Sequence, residues 1–171
     1  MYKIKLSPYH KIFYNEWKLD PSSSKYNIVF DQNLASNLDI LRLKQALYRF
    51  IRDYVIFNSH IQEDNEELYW VKNSHIDELE CFTDGYTKRQ IYDYVSSPFD
   101  LENEPLYRLA LFEEKTGCYR FIIVLHHLLI DGASVNELVS EISNYYNDYQ
   151  YSFAINHTQQ IKQLTIEIEN I

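Results

Sequence analysis

The segment that most constrains this chain is Phe121–Leu125, five consecutive apolar residues that run directly into His126 and His127. An apolar run of this length with no polar alternation reads as a strand buried on both faces, which places it in the interior of an α/β domain. Two imidazoles at the end of such a strand are costly, because a buried ring nitrogen needs a hydrogen-bond partner. Side chains alternate along a strand, so the spacing predicts that His126 and His127 point to opposite sides, one into a cavity and one into the fold. Asp131 and Gly132 follow. Glycine there permits a tight turn or a left-handed backbone. Ser134 and Glu137 have capping-box spacing, which predicts that the last helix starts at Ser134.

The rest of the chain supplies helices and strands in alternation. Ser7-Pro8 is a helix-start signal, with Ile12, Phe13 and Trp17 at helical spacing behind it. A loop at 20–24 leads to a strand over 26–34. Residues 38–54 give the clearest helix, with Leu41, Leu43, Ala46, Leu47, Phe50 and Ile51 as its apolar stripe. Short strands are predicted over 57–62 and 68–72, around the polar turn 63–66. A helix over 87–95 stops before Pro98. Strands over 106–113 and 119–127 form a hairpin, and a helix covers 135–149. The sum is a two-layer α/β sandwich, a mixed β-sheet with helices on one face. The tail, 151–171, fits helical and strand periodicity equally.

Composition narrows the function. Sixteen basic against 25 acidic residues give a net charge of −9, which repels phosphate backbones and anionic lipid, so neither nucleic acid nor a membrane is an expected partner. No apolar run reaches the roughly 18 residues of a membrane span, and no secretory signal opens the chain. Cys81 and Cys118 have no metal-binding or redox spacing, and a cytoplasmic location with reduced thiols is expected. At the histidines three readings compete: a satisfied polar cluster, an acid–base site working near neutral pH, and a metal site. No further ligand cluster lies near in sequence to complete a metal shell, and no G-x-S-x-G elbow supports a Ser-His-Asp triad.

His126-His127-Leu-Leu-Ile-Asp131-Gly132 resembles the HHxxxDG signature of condensation domains of non-ribosomal peptide synthetases, which belong to the chloramphenicol-acetyltransferase-like superfamily. Leu6–Lys11 with Leu19–Ser22 resembles the family's opening motif, and Pro98–Leu101 with Pro105–Arg108 resembles the stretch before the signature strand. The chain departs from the family at His10 and Ile12, where Gln and Arg are usual. It departs again at Arg52–Asn58, where a second motif is degenerate and Phe57 replaces the arginine that braces the aspartate; Arg108 is a candidate substitute. Val135 after Ser134 argues against the epimerising branch, and intact histidines argue against the heterocyclising one.

The resemblance implies a chloramphenicol-acetyltransferase-like lobe at 1–150, the N-terminal half of a two-lobed domain, with 151–171 as a tail or the start of the inter-lobe connection. Five residues before Leu6 raise the expectation of a first domain. The implied reaction is amide formation between a donor acyl thioester and an acceptor amine, both carried on the phosphopantetheine of peptidyl carrier proteins, with no cofactor or metal bound directly. The site residues it implies are His127 toward the tunnel, His126 as the inward structural member, Asp131 shaping the loop and Gly132 keeping the channel clear. The partners it implies are the donor and acceptor carriers and a C-terminal lobe. An isolated lobe is expected to be inactive and to associate through its exposed face. A non-catalytic recruiting module and a coenzyme A-dependent acyltransferase are the rival readings.

Overall fold

A computed structural model describes residues 3–34, 38–83, 85–115 and 117–151. The tail beyond Tyr151, including its ambiguous periodicity, lies outside the described residues. Among the described residues seven strands and four helices follow in chain order: β1 (Lys3–Lys5), α1 (Pro8–Leu19), β2 (Asn27–Leu34), α2 (Ile40–Asp53), β3 (Ser59–Asp64), β4 (Glu67–Lys72), β5 (Glu80–Phe82), α3 (Lys88–Ser96), β6 (Tyr107–Lys115), β7 (Cys118–His126) and α4 (Val135–Asn147). The α/β class holds, and the strands divide into two sheets. One is antiparallel in the order β1-β4-β3; the other runs β2-β7-β6-β5 and is mixed, because β5 pairs parallel with β6. β1 and β5 carry no signal of their own in the sequence.

β7 lies between β2 and β6 and is buried from Phe121 to His126, as its unbroken apolar run requires. On one face Ile123 and Leu125, with Tyr107 and Leu109 of β6, meet Leu47, Phe50 and Ile51 of α2 and Leu138 and Ile142 of α4. The layering is fuller than one helical face, because the other face takes Tyr94 of α3. Its ring stands edge-on to Phe112, which stacks on Phe82 with centroids 4.5 Å apart.

Local chemistry accounts for the helix ends. The Ser7 hydroxyl accepts from the His10 N–H ahead of Pro8 at the first helical position, and Asp39 accepts from the Arg42 N–H to start α2. Thr87 and Gln90 form a reciprocal capping box at α3. α1 buries His10, Tyr14 and Trp17, so the apolar face is rotated from the expected one and Ile12 is 57 % exposed. The α2 stripe holds from Leu43 to Ile51, while Leu41, in the first turn, is exposed. Two arginines of α2 cap the C-terminus of α4. Arg42 donates to the carbonyls of Tyr146 and Asn147, and Arg49 to those of Tyr145 and Tyr149. Cations at carbonyl ends of helices are favourable for the helix dipole.

The β3–β4 turn is two residues long, Asn65 and Glu66, both at positive φ (51° and 67°). That is the primed geometry matching the twist of a hairpin. Among the described residues no helix is long and apolar enough to cross a membrane.

Candidate functional site

The candidate site sits where β7 ends. His126 is its last residue and is 4 % exposed. Its Nδ1 accepts from the Leu128 N–H at 3.2 Å, which leaves the proton of the neutral ring on Nε2. Burial pushes its pKa down to about 4, with the neighbouring His127 adding a smaller push in the same direction. His126 is therefore neutral at physiological pH and buried in the fold.

His127 is half-buried and lies in the turn after the strand. Its backbone N–H donates to the Tyr26 carbonyl at 2.9 Å. β7 stops at His126, so the strand pleat does not by itself fix the direction of the His127 ring. Both imidazoles stand edge-on to one ring, Tyr26, at 5.8 Å for His126 and 6.4 Å for His127. The Tyr26 hydroxyl is tied to the Glu16 carboxylate, which also takes Lys25. The other neighbour of His127 is Phe13 of α1, stacked on it at 5.2 Å between centroids and 15° between planes. Sequence reasoning placed Phe13 on the apolar face of a helix and saw no link to the histidines. The contact joins elements far apart in the chain, and no local pattern carries it.

Asp131 closes the loop. Its Oδ1 accepts from the Ser134 N–H at 2.8 Å. Its carboxyl is held below the usual carboxylate range, first by hydrogen bonding with the Ser134 side chain and backbone, then by the Ala133 backbone, with a small effect of His127. The Ser134–Glu137 capping box predicted from spacing is absent. Ser134 sits at φ −82°, ψ −2° and makes no side-chain cap, and its own amide, which the Glu137 side chain would accept from in a capping box, is taken by Asp131.

Arg108 is likewise not the brace of Asp131. Its guanidinium donates to the carbonyls of Ser97 and Pro98 and to Glu104, and lies 4.0 Å over the Phe99 ring. It staples the segment before β6, and Phe99 in turn stands edge-on to His126. Gly132 has no positive φ, and a Cβ built on it meets nothing within 4 Å. Neither backbone conformation nor packing within these residues calls for glycine there. Among the described residues no three His, Cys, Asp or Glu side chains could share a metal ion.

The family model for the condensation domain matches residues 3–161. The chain belongs to the condensation-domain family. Similar curated proteins are the nonribosomal peptide synthetase tcpP of Claviceps purpurea, 29 % identical over 145 residues, and bacitracin synthase 3 of Bacillus licheniformis, 26 % over 144. Each alignment covers 83 % of this chain but only 7 % and 2 % of those synthetases. Among solved structures, the fold is similar to the starter condensation domain of the rhizomide synthetase RzmA (TM-score 0.80, 14 % identity, 99 % of this chain and 44 % of that one). It is also similar to the first condensation domain of the CDA synthetase (TM-score 0.71, 18 % identity, 85 % and 39 %). These likenesses show the chloramphenicol-acetyltransferase-like fold expected from the motif. The chain spans less than half of either solved domain.

Proposed function

We propose that residues 1–150 are the N-terminal lobe of a peptide-synthetase condensation domain, with 151–171 as a tail or the start of the connection to a second lobe. The complete domain joins a donor acyl thioester to an acceptor amine. The amine nitrogen attacks the thioester carbonyl, the C–N bond forms, the C–S bond breaks, and the donor carrier's thiolate leaves and ends with the proton lost from the amine. Both substrates ride on the phosphopantetheine of carrier proteins, and the domain itself holds no cofactor.

The observation that carries this reading is the unequal treatment of the two histidines. His126 is buried, neutral and hydrogen-bonded through Nδ1, whereas His127 is half-buried, just past the strand, with its ring against the aromatic rings of Phe13 and Tyr26. His127 takes or orients the amine proton; orientation alone is worth several kcal/mol when both reactants are tethered. Asp131 fixes the loop by capping α4, and Gly132 leaves open space for the substrate arm.

As an isolated lobe the chain is inactive, since only one wall of a two-lobed tunnel is present, and its exposed face associates with the other lobe or with a second copy. The test loads donor and acceptor carriers and follows amide product on the acceptor by intact-protein mass spectrometry, with the complete domain and with this chain alone. Product from the complete domain and none from the chain supports the reading. No product from either contradicts it. The same assay with an acyl-coenzyme A donor decides the second reading, which is favoured by the RzmA starter domain having been solved with C8-CoA.

A further inference from the structure

A reactive histidine ordinarily has its ring plane and tautomer fixed by a hydrogen bond at the nitrogen remote from the substrate. His127 has no such bond: its Nδ1 is buried and unpartnered among the described residues. What touches the ring instead is Phe13, whose plane lies within 15° of the imidazole at 5.2 Å. Aromatic pairs of this kind contribute about 0.5–1.5 kcal/mol beyond the area they bury, enough to favour one ring orientation over another.

Phe13 is itself held from two further sides. Tyr26 stands edge-on to it at 4.8 Å and Tyr9 at 5.0 Å. Tyr26 is anchored through its hydroxyl to Glu16, one turn further along α1 than Phe13. The helix carrying Phe13, Glu16 and Tyr9 is fixed at its start by the Ser7 cap. A rigid helix thus presents one aromatic face to the imidazole, and the tyrosine that flanks both histidines is tied to the same helix.

We propose that Phe13 is a positioning residue that sets the imidazole plane of His127, in place of an Nδ1 hydrogen bond. This rests on the reading of His127 as the residue that meets the acceptor amine. In this role Phe13 acts through His127, the ring it stacks on. With one face of the imidazole covered by the phenyl ring, an acceptor amine meets the ring at its edge.

The experiment has two arms. In this chain, labelled histidine is followed by NMR in wild type, Phe13→Leu, Phe13→Met and Phe13→Tyr. The expected result is that the ring-current shift of the His127 ring protons is lost in the Leu and Met variants and kept in the Tyr variant. The ¹⁵N signature of the His127 tautomer changes with it, and thermal unfolding identifies any variant that fails to fold. In the complete domain, Phe13→Leu lowers kcat by about tenfold to a hundredfold, the scale of a misplaced catalytic group, with KM for both loaded carriers unchanged and kcat restored by Phe13→Tyr.

An unchanged His127 spectrum in folded Phe13→Leu or Phe13→Met overturns the proposal. So does a changed spectrum with unchanged kcat, or a loss of kcat that Tyr does not restore. Failure of the reading beneath it looks different: His127→Ala then keeps full amide formation, while the NMR arm still reports whether Phe13 orients the ring.

Discussion

Acid should destabilise this fold through two buried histidines, and the size of the effect follows from the structure. His10 and His126 are 3 % and 4 % exposed, and burial holds each pKa down to about 4, against about 6.5 in the unfolded chain. A base whose folded pKa is depressed lends stability that is complete above the unfolded value and fades as pH falls from about 6.5 toward 4, because unfolding lets it take a proton. At pH 4.5 that loss is about 2–3 kcal/mol for each ring, so the pair removes a large share of the stability of a domain whose total is of order 5–15 kcal/mol.

Carboxylates held below their usual range, such as Asp131 and Glu102, lose stability in the same direction, so the total acid effect does not isolate the histidines. A His10→Gln variant does. Glutamine fills a similar space and cannot titrate. Urea unfolding at pH 7 and pH 4.5, read by fluorescence of the buried Trp17 and Trp70, gives the free energy at each pH by linear extrapolation. The drop between the two pH values should be smaller by about 2–3 kcal/mol in His10→Gln than in wild type. Equal drops in the two proteins would refute the argument that burial of His10 keeps it neutral.

Other perturbations separate the roles assigned to individual residues. Asp131→Ala should cost about 1 kcal/mol by removing the cap on the Ser134 amide, and Asp131→Asn, which keeps an acceptor oxygen, should cost less; an Ala variant as stable as wild type in urea would contradict the capping role. Gly132→Ala should leave stability within about 0.5 kcal/mol of wild type, since its Cβ meets nothing, yet should lower amide formation in the complete domain. A marked fall in stability, or unchanged amide formation, would count against an open channel there. Arg49→Ala strips the cap from the end of α4 and should cost about 1–3 kcal/mol, with Arg49→Lys a poor substitute because it lacks the planar fork. A lysine variant with wild-type stability would show that charge alone suffices.

Much of the fold is legible because its signals are local. The α2 stripe, the two hairpins and the Pro98 stop each follow from spacing or turn chemistry within a dozen residues. What escapes the sequence is pairing at a distance. β1 is three residues, Lys3–Lys5, whose strand character comes from Tyr69–Val71, and β5 exists because Glu80–Phe82 finds Ala110–Phe112. The motif likewise points to His126, His127, Asp131 and Gly132, while their partners depend on tertiary geometry. Ser134 and Glu137 have the spacing of a capping box, yet Asp131 reaches the amide first. Arg108 has the charge to brace Asp131, yet the carbonyls of Ser97 and Pro98 hold it elsewhere. Phe13 stacks on His127 across a distance that no sequence period measures.

The central claim is that His127 serves amide formation, and a single-turnover assay tests it most directly. Donor and acceptor carriers are loaded, mixed with the complete domain bearing His127→Ala, and the acceptor carrier is weighed over time. The account predicts that product formation falls by about a hundredfold or more, the range of general acid–base catalysis, while the variant keeps its wild-type unfolding midpoint. Product forming at the wild-type rate would contradict it.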